Sequence, residues 1–484
     1  MKRDRFIQIS PNIWEIPTNF KPGMLVPARV LSSEKLVDAI DEKVIDQISN
    51  VACLPGIQRY ALCMPDGHSG YGFPIGGVAA FSLTDGVISP GGIGFDINCG
   101  MRLLRTNLTF DDLHQKMELL ANKLFGTIPS GVGSSGFLKL SRPQFNDIME
   151  KGAAWCLENG YATADDVEYI ENHGQIVNAD PKTVSDKAIS RGINQMGTLG
   201  SGNHYLEVEI AAPVDIYNKE TARLFGLDRD NQVLVAIHCG SRGFGHQIAT
   251  DYLEVFDKCS KKYGLTVRDR ELMSAPFQSE EGQRYFKAMA CAANAAFVNR
   301  QLIVYGIRKV LREVFNQEDA ELGIETIYDV AHNIAKIESY EIGGKSEKLL
   351  VHRKGATRSF GSGQEEIPVK YREAGQPVIV GGSMETGSAL LCGTKYADKE
   401  TFGSTLHGSG RTMSRMQAKR TIRGEAVKQR MKERGILVRT GYMPGLAEEA
   451  AFAYKNIDDV IEAVDEAGIS KKVARFHPVL NIKG

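Results

Sequence analysis

Ser89-Pro90-Gly91-Gly92-Ile93-Gly94-Phe95-Asp96-Ile97-Asn98-Cys99-Gly100-Met101-Arg102 runs from a glycine-rich turn into a β-like segment at 102–108. It sets a carboxylate and a thiol three residues apart, at Asp96 and Cys99. Glycine carries no Cβ, so backbone amides in such a stretch can approach an anion or adopt φ > 0. One glycine of this kind means a tight turn. Here 24 of the 50 glycines fall in four clusters, at 66–100, 192–202, 240–245 and 381–410. Each cluster also carries polar, reactive side chains, which turns alone do not require.

Working outward, Gly200-Ser201-Gly202-Asn203-His204 closes one cluster, and Ile237-His238-Cys239-Gly240-Ser241-Arg242-Gly243 ends a β-like run. Asp329-Val330-Ala331-His332-Asn333 follows another. Three imidazoles, a thiol and a carboxylate at the ends of such runs suit a metal site for Zn, Mn, Fe or Co, with a thiolate able to bridge two ions. No HExxH and no paired-Cys spacing is present, which disfavours a zincin or a zinc ribbon. Val380-Gly381-Gly382-Ser383-Met384-Glu385-Thr386-Gly387-Ser388 offers successive amides and hydroxyls, an anion nest that is neither a Walker A loop nor a dinucleotide fingerprint. Close behind, Ser404-Thr405-Leu406-His407-Gly408-Ser409-Gly410-Arg411 sets an imidazole beside glycines and an arginine. A neutral imidazole can attack phosphorus, and a guanidinium can hold phosphate oxygens.

Helical periodicity predicts helices at 111–124, 142–158, 245–263, 282–314, 414–434 and 457–467. β-branched and apolar runs predict strands at 77–83, 102–108, 233–238, 326–331, 348–353 and 378–380. No repeat, linker or regular βα cadence appears, so the fold is read as mixed α and β (α+β) in one large globular unit.

Over 484 residues, Lys+Arg 58 nearly balances Asp+Glu 59, which excludes a histone-like basic coat. A hydrophobic content of 42% with 24% charged residues excludes a disordered chain. The N-terminus lacks the apolar region of a signal peptide, and the runs at 233–237 and 288–298 fall short of the ~20 residues of a membrane span. Eight cysteines without CxxC argue against a disulfide framework. A soluble, cytoplasmic protein with reduced thiols is expected. The neutral total conceals a local excess, because 411–439 holds ten Lys/Arg against two Glu. Arg411, Arg415, Lys419 and Arg423 recur every four residues, as on one side of a helix, and are read as facing a polyanion.

PDGH at 65–68 with GYGFPIGG at 70–77, SPGGIGFDINCGMR at 89–102, GTLGSGNH at 197–204, HCGSRG at 238–243, AHN at 331–333, VHRKGATR at 351–358, GGSMETGS at 381–388 and HGSGR at 407–411 together resemble the RtcB family of RNA-splicing ligases. The likeness runs essentially end to end, through Lys483. It implies one RtcB-type domain over 1–484, built around a deep metal- and nucleotide-binding cleft. It implies a GTP- and Mn²⁺-dependent ligase that joins a 2′,3′-cyclic phosphate or 3′-phosphate RNA end to a 5′-hydroxyl end, in tRNA splicing or RNA repair. Carried over, Asp96, Cys99 and His204 hold one metal and Cys99, His238 and His332 the other, while His407 is the nucleophile that accepts GMP. The family's guanylate pocket falls on Asn203, His204, Tyr205, Leu206, Glu207, His332, Asn333, Gly381, Gly382, Ser383, Met384, Ser388, His407, Gly408, Ser409, Gly410 and Lys483, with Tyr454 packing on the base. Arg191, Arg242, Lys354, Arg411 and Arg415 are the candidate RNA contacts. A monomer is expected, with archease as a possible accessory protein. Ser409 stands where many relatives have Ala, Gly67 where a bulkier residue is usual, and 360–367 departs from a Pro-rich stretch. Two other readings compete: a metal-dependent RNA-end phosphoesterase with no covalent nucleotide, and a non-catalytic RNA-binding protein.

Overall fold

Six strands of the central sheet bring nearly all the chemistry to one end. The computed structural model describes residues 2–265 and 268–484. The strands are β1 (Gly100–Thr109), β2 (Tyr205–Ala211), β3 (Gln232–Cys239), β4 (Glu325–Ala331), β5 (Leu437–Thr440) and β6 (His477–Lys483), in the order β4-β1-β3-β2-β6-β5. All neighbours are antiparallel except the β5–β6 pair. Antiparallel pairing sets the start of one strand beside the end of the next. Gly100 pairs with both Ala331 and Cys239, and Tyr205 pairs with both His238 and Lys483. Cys99, His204, His238, His332 and Lys483, far apart in sequence, thus share one end of the sheet.

A second sheet of seven strands includes Ile57–His68, Ile75–Ser82, Asn333–Ile342 and Lys345–Lys354. The chain passes from β4 into Asn333–Ile342 through His332 alone, so this imidazole sits at the corner between the sheets. A two-stranded ladder, Ala356–Arg358 with Ser404–Leu406, delivers His407 to the same corner.

The helix α2 (Glu280–Phe315) runs through the core and is about 54 Å long at 1.5 Å per residue. Ser279 caps its start by accepting from the Gly282 amide, and Asn316 ends it in the left-handed region at φ 55°. Residues 288–304 of this helix are buried on every side, as a core helix must be. The helix α1 (Arg242–Lys262) leaves directly after β3 and packs on α2.

All six predicted strands and the helices at 245–263, 282–314 and 457–467 are present with ends shifted by a few residues. Three predicted helices are each two. Gly152, at φ 56°, separates Arg142–Lys151 from Ala153–Glu158, and a Cβ there would lie 2.1 Å from the Gly174 carbonyl oxygen. Extended backbone at Ile422 divides Arg415–Thr421 from Gly424–Glu433, and 111–124 is split into Phe110–His114 and Met117–Thr127. Among the described residues no helix is long and apolar enough to cross a membrane.

Candidate active site

Cys99 closes a tight turn in which its amide donates to the Asp96 carbonyl at 3.0 Å, and Asn98 supplies the left-handed residue at φ 57°. Asparagine tolerates that conformation better than most side chains. The Cys99 Sγ lies 3.2 Å from His238 Nε2 and 3.4 Å from His204 Nε2. His238 Nε2 stands 3.3 Å from His332 Nε2, and His204 Nε2 stands 2.8 Å from Asp96 Oδ2. Two groups of donors result, Cys99–His238–His332 and Asp96–Cys99–His204, with Cys99 in both.

These spacings fit metal ligands. Imidazole nitrogens ~2.0–2.1 Å from one tetrahedral ion stand about 3.3 Å apart, and a thiolate sulfur at ~2.3 Å stands about 3.5 Å from each of them. Burial, reinforced by the neighbouring imidazoles, holds His238 and His332 well below the usual histidine pKa, which keeps them as neutral ligands. His204 Nδ1 lies 3.1 Å from the Leu199 carbonyl, which orients the ring with Nε2 facing Asp96 and Cys99. Burial, with the Asp96 charge adding to it, pushes the Cys99 thiol up to about 12, so a cation bound here must displace its proton.

His407 is oriented by a residue whose role the sequence did not reveal. Asp66 is wholly buried on Ile57–His68, and its Oδ2 accepts from His407 Nδ1 at 2.6 Å. The same oxygen accepts from the backbone amides of His407 at 3.1 Å and Gly408 at 3.3 Å. With Nδ1–H held by the carboxylate, Nε2 carries the lone pair into the cleft. The loop can lie against Asp66 only because residue 410 is glycine, since a Cβ there would come within 2.0 Å of the Asp66 carbonyl oxygen. The His407 ring is 4.7 Å from that of His332, next to the candidate metal groups. Asp66→Asn should keep the fold but favour the wrong tautomer, and any step in which His407 Nε2 is the nucleophile should slow on the order of 10³-fold in a rapid-quench time course.

The cleft beside His407 encloses a cavity of about 100 Å³ that opens to solvent, and is lined by Asn203, Tyr205, Gly381, Gly382, Ser383, Met384, His407, Gly408, Ser409, Gly410, Tyr454 and Lys483 among others. The anion-nest loop is stitched to the histidine loop, as the Gly381 amide donates to the His407 carbonyl and the Ser409 amide to the Gly381 carbonyl. Lys483 Nζ donates to the Gly202 carbonyl at 3.1 Å and lies 4.0 Å from Glu449.

The family model described as tRNA-splicing ligase RtcB matches residues 47–484. The chain belongs to the RtcB family. Of the similar RtcB proteins, that of Archaeoglobus fulgidus, named tRNA-splicing ligase RtcB, is 51% identical over 471 residues, covering 97% of each chain. Those of Thermococcus kodakarensis and Pyrobaculum aerophilum bear the same name and are 50% and 47% identical, covering 97% and 99% of each chain.

Some RtcB-derived expectations fall outside the cleft. Leu206 alternates away from Tyr205 and is buried in the core beneath the sheet. Glu207 lies on the Tyr205 face but is buried beside Glu209, and burial together with Glu209 drives its carboxyl well above the usual range. Ser388 Oγ donates to Glu209 at 2.6 Å. Asn333 joins loops, donating to the Asp96 carbonyl and accepting from the Gly355 amide.

Two readings of basic residues need correction. Lys354 is not an accessible RNA contact. It is 3% exposed, its ammonium donates to the carbonyls of Tyr71, Phe73 and Gly91, and burial lowers its pKa to about 7. The basic run at 411–439 is not one helix face, because Arg411 precedes Arg415–Thr421 and Arg423 follows it. Acids distant in sequence also meet it. Glu449 lies 3.5 Å from Arg411 and 3.4 Å from Arg415, Glu448 pairs with Lys419, and Glu385 pairs with Arg430 and Arg434. Arg415 still reaches Asn203 Oδ1 at 3.2 Å on the rim of the cleft. Arg242 lies 3.1 Å from His204 Nδ1, beside a candidate metal group, and Arg191 is exposed and donates to Gln247.

Proposed function

We propose that this protein is an RNA ligase of tRNA splicing or RNA repair that uses GTP and Mn²⁺ to join 3′-phosphate or 2′,3′-cyclic phosphate ends to 5′-hydroxyl ends. The observation that carries this reading is the Asp66–His407 pair, with a free Nε2 in a cleft that adjoins a buried three-histidine, one-cysteine cluster. The oriented imidazole supplies a nucleophile beside the metal cluster, which a ligase acting through a covalent nucleotide requires.

In this scheme Asp96, Cys99 and His204 would hold one Mn²⁺, and Cys99, His238 and His332 would hold the other. Bound there, the ions would offset charge on phosphoryl oxygens and lower the pKa of the attacking hydroxyl. His407 Nε2 attacks the α-phosphorus of GTP, forming an N–P bond as the bond to pyrophosphate breaks. Asp66 balances the positive charge that develops on the ring. The 381–384 and 408–410 loops that line the cleft, together with the Lys483 ammonium, receive the guanylate. A 2′,3′-cyclic phosphate is first opened by water, which adds to phosphorus as the O2′–P bond breaks and O2′ takes up a proton; an oxygen of the resulting 3′-phosphate then displaces His407 from phosphorus, leaving an RNA 3′-pp-5′-G end. The 5′-hydroxyl oxygen attacks the RNA 3′-phosphorus, its proton is lost, and GMP departs. Arg242, Arg411, Arg415 and Arg191 approach the RNA phosphates. The chain acts as a single domain over 1–484 and as a monomer in the cytoplasm, with archease as an accessory for turnover.

RNA carrying a radiolabelled 3′-terminal phosphate tests this directly. Joining to a 5′-hydroxyl strand should bury the label in a phosphatase-resistant junction, and only when GTP is present. Release of labelled inorganic phosphate without GTP would instead establish the phosphoesterase.

A further inference from the structure

Midway along α2, two consecutive polar residues, Asn299 and Arg300, are wholly buried. Such groups are costly in a core unless every bond they make is useful. Asn299 Oδ1 accepts from the amides of Gly197 at 2.8 Å and Thr198 at 3.1 Å, and its Nδ2 donates to the Thr198 carbonyl at 3.0 Å and the Gly240 carbonyl at 3.3 Å. That grip fixes the backbone just before Leu199, whose carbonyl orients His204. Arg300 Nη1 donates at 2.8 Å to the carbonyls of both Asn98 and Cys239, the immediate neighbours of Cys99 and His238. Its Nε and Nη2 form a two-pronged pair with Asp329, three residues before His332 on β4. Arg102 holds the same carboxylate from β1 at 2.7 Å.

One turn of helix therefore grips the chain beside Cys99, His204, His238 and His332. We propose that Asn299 and Arg300 are positioning residues that hold these four donors at coordinating distance, with Arg300 serving the Cys99–His238–His332 group and Asn299 the His204 loop. The rigid guanidinium fork reaches β3, β4 and the turn before β1 at once, which an ammonium cannot do. This proposal rests on the metal reading above.

Co²⁺ and Mn²⁺ titrations of the full chain, followed by visible absorption and calorimetry, test it against a matched control. Asn294 on the same helix is equally buried and bonds to Met149 and Ile176, away from the metal loops. Arg300→Lys and Asn299→Ala should each weaken metal binding about 10- to 100-fold and alter the Co²⁺ spectrum, the effect of removing partners that orient ligands. Asn294→Ala should lose thermal stability with unchanged metal affinity and spectrum. Asn299→Ala removes no buried charge and carries the test alone if Arg300→Lys cannot be purified folded. Wild-type metal affinity in Asn299→Ala, or an equal loss in Asn294→Ala, would overturn the proposal and leave the metal reading intact. Failure of the unaltered chain to bind either ion would overturn both.

Discussion

Replacing His407 with alanine is expected to abolish covalent labelling by GTP and to cut RNA joining on the order of 10⁴- to 10⁶-fold, the scale of losing a covalent nucleophile. Folding and GTP affinity should change little. The side chain lines the cleft rather than the core, and the loop is held mainly through its backbone, by Gly381 and Asp66. The loss should also be non-additive with Asp66→Asn. Asp66 acts through the imidazole, so the double variant should be no slower than His407→Ala alone. Single-turnover joining rates for the three variants check this. An Asp66→Asn effect that persists in full without His407 would assign Asp66 a different role.

Cys99→Ala is the second substitution expected to be severe, because one sulfur belongs to both donor groups. Its loss should weaken both metal positions beyond the ~100-fold ceiling typical of residues that only orient ligands. It should also erase the thiolate-to-metal absorption of a Co²⁺-substituted protein and abolish joining. Cys392→Ala, at a buried thiol outside either group, should do none of these. Cys99→Ser separates softness from occupancy. An oxygen ligand at this position should tilt preference toward harder cations without restoring the absorption band. Metal content by elemental analysis and the cobalt spectrum give the two readouts.

Much of the fold was legible where a strand or helix carries its own pattern. The runs at 233–238 and 326–331 are apolar and β-branched, and 282–314 is a long apolar periodicity. What stayed hidden depends on partners distant in sequence. Ile57–His68 contains Pro65, Asp66 and Gly67, which argue locally against a strand, yet it forms part of the seven-stranded sheet. Tyr205–Ala211 is interrupted by Glu207 and Glu209, whose burial depends on their surroundings in the fold. The donor residues were legible because Asp96, Cys99, His204 and His238 lie in or beside glycine-rich motifs and His332 ends a β-like run, and antiparallel pairing then gathers them. Asp66 was visible in its motif, but its bond to a residue 341 positions away was not. Lys354 looked like a phosphate contact because a basic string reads the same whether its ammonium meets water or three carbonyls. The basic run likewise looked unpaired because Glu385, Glu448 and Glu449 lie outside it.

The central claim is that His407 Nε2 accepts a guanylate from GTP, and the most direct measurement is the fate of a label on the α-phosphate. After incubation with Mn²⁺, the label should stay on the denatured protein, resist alkali, be released by acid as expected of a phosphoramidate, map to the peptide containing His407 and vanish in His407→Ala. RNA joining that proceeds with no protein-bound label, or label on a residue other than His407, would contradict it.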